Sequence, residues 1–168
     1  YAGLNFQYYN GNLKNFCVSP RAKISFSKNR FTFWADYAQT AQYLSLYPYF
    51  TVKTPVDIWY PLEKNMKPAL CHQYSIGAEQ EIQGGLTLYA GIFYKKMKHV
   101  KDFSSGLSTK YTALTDNMIT GSGHARGVEF NLALEHRKIS ARFNYTLSES
   151  KRKFAEINNG KSFFPPYD

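Results

Sequence analysis

The stretch Val128-Glu129-Phe130-Asn131-Leu132-Ala133-Leu134-Glu135 runs through His136-Arg137-Lys138 into Ile139-Ser140-Ala141-Arg142-Phe143-Asn144-Tyr145-Thr146-Leu147-Ser148. Val128, Phe130, Leu132 and Leu134 alternate with a mostly polar set. Ile139, Ala141, Phe143, Tyr145 and Leu147 do the same on the far side of three turn residues. Successive side chains of a strand point to opposite faces, so a strict period of two predicts strands that are apolar on one face and wet on the other. Two such runs joined by a tight turn predict an antiparallel hairpin.

Working outward, the same period recurs. Tyr74, Ile76 and Ala78 share a face within Gln73 to Ile82, which Gln80 interrupts; Leu86, Leu88, Ala90, Ile92 and Tyr94 share one within Leu86 to Lys96. Ala2, Leu4, Phe6 and Tyr8, then Ala22, Ile24 and Phe26, then Phe31, Phe33, Ala35 and Tyr37 complete seven predicted strands. Lys28-Asn29-Arg30, Gln83-Gly84-Gly85 and His136-Arg137-Lys138 read as tight turns. Between them lie long connections: Asn10 to Ser19, Gln39 to His72, Met97 to Gly123, and Glu149 onward. The predicted fold is therefore all-β, an antiparallel up-and-down meander of about seven strands. Short turns at one end and long loops at the other are the habit of outer-membrane barrels, whose lipid-facing and lumen-facing residues alternate.

Composition sharpens this. The chain of 168 residues is 17% aromatic, nearly all Tyr and Phe, which favours strands. No run of eighteen apolar residues exists, so no membrane-spanning helix is expected. A mean hydropathy of −0.45 is compatible with a barrel because half of each strand is polar. Tyr8, Tyr37, Tyr74, Tyr94 and Tyr145 all fall toward the long-loop ends of their strands, and are expected to form one girdle at a single height where lipid meets water. A count of seven leaves two open edges, whereas bacterial single-chain barrels have even counts. The expectation is that residues 1–168 are a segment of a larger barrel, its ends cut from a longer protein, whose open edges pair with another copy or curl.

The net charge of +9 comes from scattered Lys and Arg rather than a compact patch, so no nucleic-acid partner is expected. Its remaining readings are a solvated surface or contact with anionic headgroups or solutes at an outer mouth. Cys17 and Cys71 are too few for a disulfide scaffold; a single bridge between outer loops is conceivable in an oxidising compartment. No catalytic motif is present: no GxSxG, no HExxH, no phosphate loop ahead of a helix. His72, His99, His124 and His136 stand apart and read as loop or rim residues, and Glu79, Glu81, Glu129 and Glu135 read as lumen lining. The chain is expected to be no enzyme and to need no metal or cofactor.

Several runs together resemble the barrel region of TonB-dependent receptors of the Bacteroidetes type. They are Trp59-Tyr60-Pro61, Lys67-Pro68, Gln73 through Glu79, Tyr94 through Met97, Gly121 through Glu129, Tyr145 through Ser148, and Ile157 through Lys161 with Tyr167-Asp168. The resemblance implies a barrel of about 22 strands in the bacterial outer membrane, plugged by a separate domain that is absent here. It implies uptake of a scarce nutrient (a metal chelate, a vitamin or a glycan) energised by the TonB system. The plug, the TonB box and the closing strand are not in this sequence.

Candidate ligand contacts follow from where aromatics and cations collect. Tyr43, Tyr47, Tyr49, Trp59 and Tyr60 crowd one long connection, suited to flat or sugar-like ligands, or simply to packing that loop. Lys64 and Lys67 would attract an anionic ligand or line a solvated rim. Trp34 and Arg142, with Asn144, are candidate lumen contacts. The alternative to the transporter is a soluble antiparallel β-sheet module for binding or adhesion.

Overall fold

The computed structural model describes residues 1–10, 14–47, 58–62, 66–103 and 118–165. Among these residues nine strands appear in chain order: β1 (Ala2–Asn10), β2 (Lys14–Lys28), β3 (Phe31–Gln42), β4 (Leu44–Tyr47), β5 (Ile58–Pro61), β6 (Ala69–Ile82), β7 (Leu86–Phe103), β8 (Met118–His136) and β9 (Ile139–Lys153). Seven of them form one antiparallel sheet in the order β1-β2-β3-β6-β7-β8-β9, and β4 pairs with β5 as a separate hairpin. The molecule is all-β, and the large sheet is open, with β1 and β9 at its edges. No helix among the described residues is long and apolar enough to cross a membrane, which leaves strands as spanning elements untouched.

All seven predicted strands are present, and each is longer than predicted, β1 by a single residue. β2 starts at Lys14, β6 at Ala69 and β8 at Met118, and β7 continues to Phe103. Most of the added length lies toward the long connections, where residues such as Cys17, Pro20, His72 and Gly121 break the regular apolar–polar alternation. Gln39 to His72 is likewise not a plain loop, because β4 and β5 form a hairpin inside it, and Leu62 N–H donates to the Tyr43 carbonyl at 3.0 Å beyond its end.

The turns fall where the sequence puts them. Asn29 and Arg30 link β2 to β3, both left-handed. Gly84 (φ 90°) and Gly85 (φ 82°) supply the same handedness between β6 and β7 without the penalty a Cβ brings. Gly85 is doubly constrained, since a Cβ there would run into the Glu135 carbonyl. Arg137 and Lys138 link β8 to β9. Pro20 lies inside β2 yet pairs only with Leu4 of β1; pairing with β3 stops at Arg21↔Ala38. Proline has no N–H to give the ladder. The Gln39 side chain takes over there, donating to the Val18 carbonyl at 2.9 Å.

Register fixes the faces. One rung runs Ala35, Ile76, Ile92, Val128, Leu147, and the rung below it Phe33, Ala78, Ala90, Phe130, Tyr145. All of these belong to the predicted apolar face. It is uncovered: Ile24 is 77% exposed, Leu147 61% and Ile76 54%. Among the described residues the buried hydrophobics are only Leu62, Ile119 and Phe154. Among the described residues no core forms on the apolar side of the sheet.

The tyrosines do not share one rung. Tyr37, Tyr74 and Tyr94 do, but Tyr145 sits four residues nearer the turns and Tyr8 six residues nearer the long connections. The expectation of a single height fails when height is read along rungs, because the turns themselves step across the sheet. The β2–β3 turn closes at Lys28↔Phe31, whose rung continues through Gln80, Leu88 and Leu132 to Phe143. The β6–β7 turn closes two residues lower, at Ile82↔Leu86, and the β8–β9 turn two lower again, at His136↔Ile139. The stagger is one residue per strand.

Beyond β9 the chain turns through Asn158–Gly160, and Phe163 pairs antiparallel with Arg152 through two backbone bonds of 2.9 Å. Phe154, 1% exposed, packs against Phe163 and over Gly121. Gly121 therefore relieves crowding near the start of β8, where a Cβ would meet the Phe154 ring and the Lys153 carbonyl.

Candidate functional site

The polar face opposite the apolar one carries an organised cluster near the middle of the sheet. It is built from aromatics laid flat across glycines of the neighbouring strand. A Cβ at Gly77 would stand 2.6 Å from the Trp34 ring, and one at Gly127 2.7 Å from the Phe93 ring. Within β7, a Cβ at Gly91 would stand 2.8 Å from the Tyr89 hydroxyl. Each glycine makes the floor on which a ring lies, and a strand glycine commonly marks such a close approach. Trp34 and Tyr89 stack with centroids 6.0 Å apart and planes 15° from parallel.

Cations cap this platform. Lys23 Nζ lies 5.3 Å from the Trp34 ring centre and Lys95 Nζ 5.1 Å from that of Phe93, both within cation–π range. Register adds acids on the same face: Asp36 opposite Lys23, Glu79 opposite Tyr89, and Glu129 opposite Gly91. Between the rings is a recess of about 150 Å³ lined by Trp34, Asp36, Gln73, Tyr89, Lys95 and Glu129. Flat rings bordered by carboxylates, an amide and ammonium groups suit a polyhydroxylated or zwitterionic ligand, which offers apolar faces and many hydrogen bonds.

The sequence-derived candidates separate into three groups. Trp34 lies on the polar face and anchors the platform. Arg142 lies on the same face but near the hairpin turns, opposite Ala133, where it borders a polar recess with Arg30, Glu81 and Glu135. The structure does not bring it to Trp34. Asn144 is bonded across the sheet to the Asn131 side chain. The third group belongs to the β4–β5 hairpin. Tyr47 pairs with Ile58, Trp59 with Leu46 and Tyr60 with Ser45, so three of the aromatics do share one element, with Trp59 exposed. Tyr43 lies beside Cys17, and burial first, then the thiol's charge and hydrogen bond, raise its phenol above the usual value. Lys67 is exposed; Tyr49 and Lys64 lie outside the described residues.

Sequence reasoning missed Tyr89, Phe93, Lys23 and Lys95. The available signal was a large aromatic at a polar-face position beside a strand glycine: Tyr89 next to Gly91, and Phe93 opposite Gly127. His72 also has a role the sequence did not assign, as its Nδ1 is hydrogen-bonded to the Tyr37 hydroxyl at 3.0 Å. Cys17 and Cys71 are free thiols, so the conceivable bridge is not made. Among the described residues no group of three or more His, Cys, Asp or Glu side chains is arranged to hold a metal. No family model, no curated protein and no solved structure matches this chain.

Proposed function

We propose that this sheet is part of the wall of a bacterial outer-membrane β-barrel, of the TonB-dependent receptor type, that takes up a bulky nutrient. One observation carries the membrane part of the reading: a seven-stranded sheet whose apolar face is continuous, register-matched and uncovered. Soluble monomers rarely expose a contiguous apolar patch beyond a few hundred Å². Hydrocarbon is the cover that suits a face alternating with a polar one on every strand.

Geometry supports the same reading. A stagger of one residue per strand, at roughly 3.4 Å rise and 4.8 Å strand spacing, means strands tilted by about 35° if the turns lie in one plane. That is the tilt of membrane barrels. The tilt also restores the girdle for four tyrosines. Measured from the turn end of its own strand, Tyr37 stands six residues from Phe31, Tyr145 six from Ile139, Tyr74 eight from Ile82 and Tyr94 eight from Leu86. Those lengths correspond to a height of about 17–22 Å above the turns at that tilt, near the far edge of an apolar band about 25 Å tall. One rung higher, His72 is hydrogen-bonded to the Tyr37 hydroxyl and His124 stacks on the Tyr94 ring, giving both tyrosines polar neighbours at the boundary.

Seven strands place β1 and β9 in the same direction, so they cannot close on each other antiparallel. Closure as an antiparallel barrel takes further strands, and the resemblance supplies the larger barrel, the plug and the TonB coupling. In that setting the Trp34–Tyr89 platform faces the lumen, and the β4–β5 hairpin with Trp59 stands at the outer mouth as ligand-capturing loop. The chain performs no chemistry; its role is passage and recognition.

Refolding with and without detergent tests this directly. The expected result is a β-rich, monodisperse species in detergent micelles and aggregation when detergent is removed. A stable monomer in detergent-free buffer would overturn the membrane reading in favour of a soluble binding module.

A further inference from the structure

The outward face changes character abruptly above the tyrosines. Two residues beyond the Tyr74–Tyr94–Arg126 rung comes the rung His72, Lys96, His124, Lys151; two further comes Leu70, Lys98, Ser122, Lys153. Four lysines and two histidines are thus gathered on a patch three to four strands wide and two rungs tall, with Arg126 on the rung beneath. With strands roughly 4.8 Å apart and rungs roughly 6.8 Å apart, the four lysine stems rise from an area of about 10 by 7 Å. One acid, Glu149, intrudes, and it is occupied: Arg126 lies 2.6 Å and Lys151 3.7 Å from its oxygens. Lys96, Lys98 and Lys153 have no ion pair among the described residues.

A groove leads down from this patch. It is lined by Ile92, Val128 and Leu147 on the apolar face, ends upward at Arg126 and Glu149, and encloses about 540 Å³. An apolar channel beneath a cluster of cations is complementary to an amphiphile with a phosphate head and hydrocarbon tails.

We propose that the outward face of β7–β9 is a binding site for a phosphate-bearing lipid. The phosphate sits among Lys96, Lys98, Lys151 and Lys153, with Arg126 at the neck. An acyl chain descends past Arg126 and crosses the Ile92–Val128–Leu147 rung. This site rests on the membrane reading above and specifies which lipid chemistry the wall selects. It also assigns part of the excess positive charge to one place on the molecule.

Co-flotation of the full chain with vesicles of phosphatidylcholine, or of phosphatidylcholine doped with phosphatidic acid, tests it. The expected result is binding to both, tighter to the doped vesicles. The combined variant Lys96→Gln, Lys98→Gln, Lys153→Gln should lose that preference, on the order of a hundredfold, while binding phosphatidylcholine as before. A control, Arg137→Gln with Lys138→Gln in the β8–β9 turn, should keep it. A preference that survives in the triple variant, or falls equally in the control, would overturn the site. So would its abolition by inorganic phosphate at matched ionic strength, which would mark free phosphate as the ligand. Binding to neither vesicle would instead overturn the membrane reading, and the lipid site with it.

Discussion

Trp34 of β3 lies flat on Gly77 of β6, its ring 2.6 Å from the position a Cβ on that glycine would take. The Ala90 carbonyl closes the other side at 2.9 Å. A methyl group has no room there. Gly77→Ala is expected to lift the indole off the sheet and cost about 1–3 kcal/mol, the usual range for overpacking. Denaturant titration in a Trp59→Phe background, where emission reports Trp34 alone, measures both effects. The same substitution should cost less when Trp34 is already Ala; equal costs in the two backgrounds would mean the ring is not what the methyl meets.

The turns offer a second test. Gly84 and Gly85 are both left-handed, but only Gly85 abuts the Glu135 carbonyl, and only its own carbonyl accepts from Glu135 N–H, at 2.8 Å. Gly84→Ala should cost about 1–2 kcal/mol from backbone strain alone. Gly85→Ala should cost clearly more. Conversely, Arg30 holds φ 63° with a bulky side chain. Arg30→Gly, creating an Asn-Gly turn, should stabilise the β2–β3 hairpin by up to about 1 kcal/mol. Unfolding midpoints of the three variants check the ordering.

A polar side chain stands in for a missing ladder bond at the top of β2. Gln39 reaches the Val18 carbonyl where Pro20 ends the β2–β3 pairing. Gln39→Ala should cost about 1 kcal/mol and raise amide exchange in β2 above Arg21, leaving the lower half unchanged. Exchange rising uniformly along β2 would contradict this division of the strand.

How far the sequence reaches is visible in β7. From Leu86 to Tyr94 the apolar period is clean, and the strand was legible. From Lys96 to Phe103 the strand continues, but Lys96, Lys98 and Lys101 replace apolar residues on the outward side. His99, left-handed, also marks a register shift between Lys98 and Val100. Alternation is a record of what touches each face, so it ends where the apolar cover ends, not where the hydrogen bonds do. The candidate site was less legible for a related reason. Trp34 stood out as a large ring on a polar face. Its partner Tyr89 comes from a strand not adjacent to β3 in the sheet, and only the register and the glycine floor between them bring the two together. The β4–β5 hairpin was hidden because four-residue strands are too short for a period to show.

The two faces should respond oppositely to charge. Val128→Arg or Phe130→Arg puts a cation on the outward face at mid-strand, and should cost about 2–4 kcal/mol in a bilayer. Glu129→Arg or Asn131→Arg faces the polar side and should cost little. Refolding yield into vesicles ranks the variants.

The central claim is that hydrocarbon covers every second side chain of this sheet. Nitroxide labels placed singly along β8 from 128 to 134, in a background with Cys17 and Cys71 replaced by Ser and the chain reconstituted in vesicles, test it most directly. Collision with oxygen should peak at 128, 130, 132 and 134, and collision with a water-soluble nickel chelate at 129, 131 and 133. Equal accessibility of both sets to the water-soluble reagent would contradict the account.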